Sequence, residues 1–122
     1  KIVEEKIKKF KNKWFMKYLF NSSGNWIAFR IDNYLFNSNA NWIGWFPWND
    51  EHAVDKKGRY LGSMFNDSRF YKIMNFPYRG YPGYPGYPGY PGYPGYPGYA
   101  GYSPMPIGVK DYTPEELKNI EN

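Results

Sequence analysis

The sequence contains no cysteine, and its single histidine is His52. Without thiols the chain can form neither a disulfide framework nor a thiolate zinc site. One histidine makes no metal site without several carboxylates, so we expect His52 to be a surface or cross-strand residue. No apolar run reaches about 18 residues, so we expect no transmembrane segment. The sequence therefore predicts no metal, no cofactor and no membrane span.

Sequence patterns of catalysis are missing as well. The acidic residues are scattered, and the aspartates fall mostly in predicted turns, where they form the turn: Asp32, Asp50, Asp55 and Asp67. No Ser–His–acid order is present, and the glycines of the C-terminal half follow proline rather than a strand, unlike a phosphate-binding loop. We therefore expect a protein that is not an enzyme.

The formal net charge of +5 belongs to one segment of the chain. Residues 1–17 hold seven lysines and two glutamates, whereas the remaining charges balance. Between Lys1 and Trp14 the large apolar residues share one helical face: Val3, Ile7, Phe10 and Trp14. We predict a short basic amphipathic helix over residues 1–13, which packs on the rest of the chain, on a partner helix or on an anionic membrane surface. Lysines without a recognition motif do not predict nucleic-acid binding.

A hairpin pattern is repeated within residues 14–77. The stretch 18–29 recurs at 34–45, a looser copy spans 52–63, and Arg69-Phe70-Tyr71 opens a fourth. Each copy has an apolar strand, a polar turn and an aromatic strand, which is typical of a β-hairpin. The turns of the first and third copies end in glycine, which accepts a left-handed conformation, but the second copy has alanine there, which predicts slight strain or another turn type: Gly24, Ala40 and Gly58.

The returning strand of each copy alternates large and tiny residues. Trp26, Trp42 and Tyr60 stand two positions before Ala28, Gly44 and Gly62, so each pair should share a face, and the tiny residue should leave room for a ring of a neighbouring repeat. The links between copies are short and predict an up-and-down antiparallel meander. One hairpin cannot bury a face alone, so we expect about four hairpins to close into a ring.

This pattern resembles the 4-fold β-flower proteins, small bacterial proteins whose hairpins surround a pseudo-four-fold axis. The resemblance covers residues 18–74 and implies an all-β closed core, an axial pocket or channel lined by aromatic side chains, and no catalytic residues. The fourth copy shows no second strand, and we expect Trp14-Phe15-Met16 to complete the closure. The hairpins also resemble the choline- or glucan-binding repeats of Gram-positive surface proteins, which would form an open solenoid instead.

Residues 78–106 form a Tyr-Pro-Gly tract with glycine at every third position from Gly80 to Gly101. Proline fixes every third φ near −65°, which predicts extended polyproline II with the tyrosines along one edge. The sequence is compatible with three interpretations of this tract: a flexible partner-binding segment, a collagen-like trimer, or a segment packed against the chain's own aromatic hairpins.

Residues 107–122 carry the signals of a short terminal helix. Thr113 is a predicted N-cap, Pro114 takes the first helical position, and Glu116 completes a capping box. Leu117 and Ile120 give this helix an apolar edge.

The predicted function is a small binding or structural module. Its candidate binding residues are the rings Trp26, Trp42, Trp45, Trp48 and Tyr60, which would contact an extended neutral ligand through apolar and CH–π interactions. That ligand is a glycan, a polyether-like chain, or a proline-rich segment such as the chain's own tail. Core packing is the competing role for three of these rings, and Trp45 and Trp48 are the pair expected to be exposed. A second class of function is a self-assembling structural protein, a homo-oligomer joined through the tyrosine edge of the tract.

Overall fold

The computed structural model describes residues 16–120, and their core is a closed all-β barrel. Its strands follow one another as antiparallel neighbours: β1 Lys17–Phe20, β2 Trp26–Ile31, β3 Tyr34–Asn37, β4 Trp42–Trp45, β5 His52–Asp55, β6 Tyr60–Phe65 and β7 Arg69–Ile73. The barrel closes where β1 meets β7 in parallel, with Phe20 opposite Arg69 and the Phe20 amide donating to the Ser68 carbonyl at 2.8 Å. The predicted closed meander is confirmed, and an open solenoid is wrong because β1 and β7 pair.

Most of the segment predicted to complete the closure, Trp14 and Phe15, lies outside the described residues, as does the predicted helix over residues 1–13. Met16 belongs to no strand. The missing second strand of the fourth hairpin is instead β8, Val109–Lys110, which pairs antiparallel with the end of β7. It reaches β7 from beyond the Tyr-Pro-Gly tract, so the tract connects the two strands of the last hairpin.

The same β-bulge occurs in the first three hairpins. Leu19 is opposite Ala28 while Phe20 is opposite Trp26, so Ile27 has no partner. The register shifts in the same way in the other two hairpins and leaves out Ile43 and Leu61. A bulge interrupts the period-two alternation of a strand. The prediction that Trp26 and Ala28 share a face is therefore wrong, and they belong to separate apolar clusters.

The interior cluster draws buried residues from all seven barrel strands, and it is mostly aliphatic: Leu19, Ile27, Ala28, Leu35, Ile43, Phe46, Ala53, Leu61, Met64 and Phe70. Tiny residues let neighbouring repeats approach. A Cβ on Gly62 would lie 2.6 Å from the Phe70 ring, as predicted, whereas one on Gly44 would meet the Val54 carbonyl at 2.2 Å. Repeats thus meet through backbone as well as rings.

The C-terminal segment covers the turn end of the barrel. Helix α1, Pro114–Lys118, begins with the predicted capping box of Thr113 and Glu116. Leu117 is fully buried, and it belongs to the interior cluster together with Tyr112. The side-chain amide of Asn37 donates to the Leu117 carbonyl at 3.3 Å. The expected axial pocket lined by aromatic residues is therefore wrong: aliphatic side chains fill the axis and α1 packs over its end. None of the helices within residues 16–120 has the length and apolarity to cross a membrane.

Candidate functional site

Two equivalent tryptophans on the outside of the first two hairpins form matching aromatic platforms. The Trp26 indole Nε1 donates to the Ala28 carbonyl at 2.8 Å, and that of Trp42 donates to the Gly44 carbonyl at 2.7 Å. These bonds fix each ring just before its bulge. A tyrosine from the preceding strand, Tyr18 or Tyr34, packs edge-on at 5.7 and 6.3 Å respectively. Both indoles are buried, at 7% and 4% exposure.

The Tyr-Pro-Gly tract lies across these platforms. We call residues 75–108 the strap. Trp42 contacts Tyr84 and Tyr87, both with ring centroids at 5.7 Å. Trp26 contacts the strap tyrosines nine positions later, Tyr93 and Tyr96, at 5.8 and 6.1 Å. The interplanar angles of the four pairs are 55–59°. Three triplets of the strap therefore correspond to one hairpin of the barrel.

The third hairpin holds the strap differently. Tyr60 stacks on Phe76 with centroids 4.0 Å apart and an angle of 12°. His52, which occupies the place of Tyr18, lies 4.7 Å from the same ring. The hydroxyl of Ser63 joins both, at 2.6 Å from His52 Nδ1 and 2.7 Å from the Tyr60 hydroxyl. Burial raises the pKa of Tyr60, and its hydrogen bonds with the Ser63 hydroxyl and the Ile73 amide oppose that shift only in part.

Polar contacts anchor both ends of the strap. At its start, the Arg79 guanidinium pairs with Asp50 at 2.8 Å and lies 4.8 Å from the Trp48 ring centroid. At its end, the Ala100 amide donates to the Gly24 carbonyl at 2.9 Å, and Arg69 donates to the Gly101 carbonyl at 3.0 Å. The strap leaves β7, passes the third, second and first hairpins in turn, and returns to β7 as β8. It therefore encircles the barrel.

The backbone of the strap is extended but is not a regular polyproline II helix. Every glycine from Gly80 to Gly101 has φ between 80° and 92°, whereas polyproline II has φ near −75° at all residues. This corrects the predicted conformation. It also separates the strap from a collagen chain, which is built from polyproline II-like strands.

The strap turns its tyrosines outward. Its prolines and glycines are mostly half-buried, while nine tyrosine side chains are 57% to 85% exposed: Tyr78, Tyr81, Tyr84, Tyr87, Tyr90, Tyr93, Tyr96, Tyr99 and Tyr102. We call these nine side chains the tyrosine row. No charged residue occurs in the sequence between Arg79 and Lys110. The row is thus an uncharged aromatic surface that follows the barrel.

The family of the chain follows from a match that spans barrel and strap. A family model described as 4-fold beta flower protein matches residues 11–117. The chain belongs to this family. Among curated proteins and solved structures, none matches it. The match extends beyond the residues 18–74 that carried the resemblance and includes the strap and most of α1.

This beta flower brings together four of the five predicted binding rings, but around its own strap. Trp26, Trp42 and Tyr60 contact strap rings, and Trp48 contacts Arg79. Trp45 stands apart, and its indole Nε1 has no hydrogen-bond partner within residues 16–120. Trp45 and Trp48 are both half-buried, so the expectation that this pair is exposed is wrong. The chain's own proline-rich segment thus occupies the place expected for an extended ligand. The outward row was foreseen only as an assembly edge, from its three-residue spacing.

A cavity of about 560 Å³ at the opposite end of the beta flower holds charged residues with structural partners. Lys17 pairs with Asp67 at 3.0 Å, and Arg30 donates to the carbonyls of Asp32 and Asp50 at 2.6 and 2.8 Å. Burial lowers the pKa of Arg30, against the attraction of nearby carboxylates such as Asp50. Within the part of the chain that the structure describes, no three His, Cys, Asp or Glu residues could hold a metal ion.

Proposed function

We propose that this beta flower is a non-enzymatic binding module for extended neutral polymers, with glycans as the first class to test. The observation that supports the proposal is the tyrosine row, nine rings each more than half exposed on one continuous segment. Large exposed aromatic patches are uncommon on soluble proteins unless they take part in binding. Tyrosine suits this role because its ring contacts C–H groups while its hydroxyl stays hydrated.

The row is ordered before any ligand arrives. The rings of Tyr84, Tyr87, Tyr93 and Tyr96 rest on buried indoles. Binding to side chains that are already ordered costs less conformational entropy than binding that must first order them. The absence of charge between Arg79 and Lys110 favours a neutral polymer over nucleic acid or an acidic chain. A proline-rich partner fits less well, because the strap already covers the tryptophan platforms.

Isothermal titration calorimetry with cellohexaose and chitohexaose tests the proposal. Tyr90→Ala and Tyr99→Ala remove exposed rings that contact none of the tryptophans within residues 16–120, so the barrel should keep its stability. Each substitution should weaken binding by about 0.5–1.5 kcal/mol, the size of one aromatic contact. Ile107→Ala is the control, since Ile107 is fully exposed but lies off the row. No heat change with either oligosaccharide or its polymer would reject the proposal.

A second candidate is self-assembly through the same row. It is favoured by the continuity and neutrality of the nine rings, which could pack against the row of another copy. Analytical ultracentrifugation over a wide concentration range separates the two candidates. A monomer at every concentration rejects assembly, and a saturable glycan effect on that monomer supports the binding module.

A further inference from the structure

A second cavity, of about 400 Å³, lies beside the tyrosine row where the first two hairpin turns, the strap and α1 meet. Three of the residues that line it are aromatic: Trp26, Tyr93 and Tyr96. The indole is buried and fixed by its bond to the Ala28 carbonyl, while the two tyrosines are 57% and 67% exposed. The cavity thus has a rigid floor and open aromatic faces.

The cavity lining also carries polar side chains that have no partner within residues 16–120. The side chains of Asn25, Asn39, Glu115 and Lys118 line it, and within residues 16–120 they make no hydrogen bond or ion pair to the chain. Neighbouring polar groups of the same turns behave differently. Asn21 donates to the Tyr112 carbonyl at 2.9 Å, for example. All four residues are exposed, whereas Asn21 is buried, so their polar groups are open to water or to a ligand.

We propose that this cavity binds one pyranose unit of a neutral glycan and so anchors the polymer that runs along the tyrosine row. The inference rests on the proposed function and names its specific subsite. Ligand cavities of about 300–1,000 Å³ are usual, with apolar walls and a few polar groups that set orientation. A sugar ring matches both kinds of lining residue: its C–H face contacts Tyr93 and Tyr96, and its hydroxyls reach the Asn25 and Asn39 amides.

Charge argues for a neutral ligand here. The carboxylate of Glu115 and the ammonium of Lys118 both line the cavity. A phosphate would therefore be repelled by Glu115, and an organic cation would be repelled by Lys118. Sugar hydroxyls donate to one group and accept from the other without that cost. A proline-rich peptide would need the faces of Trp26, which the strap tyrosines already contact.

The experiment compares a ligand that fills only the cavity with one that also follows the row. Cellobiose and chitobiose are too short to follow the row, so the full chain should bind one of them weakly and shift the NMR signals of residues around Asn39 and Glu115. Asn39→Ala and Glu115→Gln should each weaken that binding, and binding of the matching hexasaccharide, roughly tenfold, as expected for one lost hydrogen bond. Tyr99→Ala should affect the hexasaccharide alone.

The outcomes separate the subsite from the general function. If hexasaccharides bind but neither disaccharide does and both cavity variants behave like the parent, the pyranose subsite is refuted and the row alone binds. If no glycan of any length binds, both proposals fail. A Tyr-Pro-Gly hexamer peptide that shifts the same signals would assign the cavity to a proline-rich partner and overturn the inference.

Discussion

At the scale of single residues, Gly24 marks the closest approach of the strap to a hairpin turn. Its φ is +93°, and a Cβ there would lie 2.5 Å from the backbone of Gly101. Gly92, within the strap, also has a positive φ of +83°, but its Cβ would meet no atom of residues 16–120 within 4 Å. The two glycines thus share a positive φ but differ in the space available to a Cβ.

We predict that Gly24→Ala destabilises the fold more than Gly92→Ala. A left-handed alanine costs about 1–2 kcal/mol at either site, and the clash at Gly24 adds about 1–3 kcal/mol of overpacking. Urea denaturation followed by tryptophan fluorescence gives both values. Equal losses would show that the strap does not touch the first turn.

Ala40, at the matching place in the second turn, already has φ 63°, which confirms the expected strain.

Tyr112 predicts how stability depends on alkaline pH. Burial raises its pKa, and its hydroxyl donates to the Leu61 carbonyl at 2.5 Å. The unfolded chain ionises tyrosine near pH 10, so the folded state holds its proton longer. This stabilisation is complete below about pH 10 and is lost as pH rises further. Tyr112→Phe should cost about 1 kcal/mol at pH 7 and flatten the decline above pH 10 in thermal melts. A parallel decline in both proteins would contradict this assignment.

At the scale of elements, the hairpin and its three strap triplets form the repeating unit. Trp42 with Tyr84 and Tyr87 repeats as Trp26 with Tyr93 and Tyr96 in nearly the same geometry. The barrel repeat is sixteen residues between these tryptophans and the strap repeat is nine. Each hairpin is matched by three triplets of the strap, which passes the hairpins in the reverse of their sequence order. The length of the strap therefore has to match the circumference of the barrel.

Strap length gives an asymmetric prediction. Deleting Tyr90-Pro91-Gly92 shortens the circuit, so either one tryptophan platform or the β7–β8 pairing must be given up, at a cost of several kcal/mol as for a lost core aromatic. Inserting one more triplet lets the excess loop out, at a cost of under about 1 kcal/mol of loop entropy. Thermal melts of the two variants make the comparison. If deletion and insertion lower the melting temperature equally, the length of the strap does not have to match the circumference of the barrel.

The sequence predicts the local features of these elements better than the distant ones. The hairpins, the left-handed turn ends and the Thr113 capping box follow from neighbouring residues, and all are present. The bulges at Ile27, Ile43 and Leu61 carry no local signal, since an aliphatic residue fits either face of a strand. Strand β8 is only two residues long and lies far from β7 in sequence, so only tertiary structure reveals it.

The candidate site was predicted in part. The sequence predicts that Trp26, Trp42 and Tyr60 contact an extended segment, and strap rings do contact them. What composition could not decide was which segment they contact, because Tyr-Pro-Gly triplets favour no specific tertiary position on their own. The cavity beside Asn39 and Glu115 depends on elements that are distant in sequence, so no motif predicts it.

At the scale of the whole molecule, the strap is ordered by ring contacts rather than by backbone pairing. From Asn75 to Tyr99 no backbone amide donates a hydrogen bond within residues 16–120, whereas Ala100 and Ser103 do. We predict rapid amide hydrogen exchange across the triplets beside protection at Ala100 and Ser103. Heteronuclear relaxation should nevertheless show a rigid backbone there. Protected amides throughout the triplets would contradict the ring-contact account.

The most direct test of the account is a distance between strap and barrel. The chain has no cysteine, so Ser23→Cys with Tyr90→Cys gives two unique sites for spin labels, both at exposed positions that make no described hydrogen bond. If the strap is held on the hairpins, double electron–electron resonance should give one narrow distance distribution. A broad distribution like that of a flexible linker would show that the strap does not encircle the barrel.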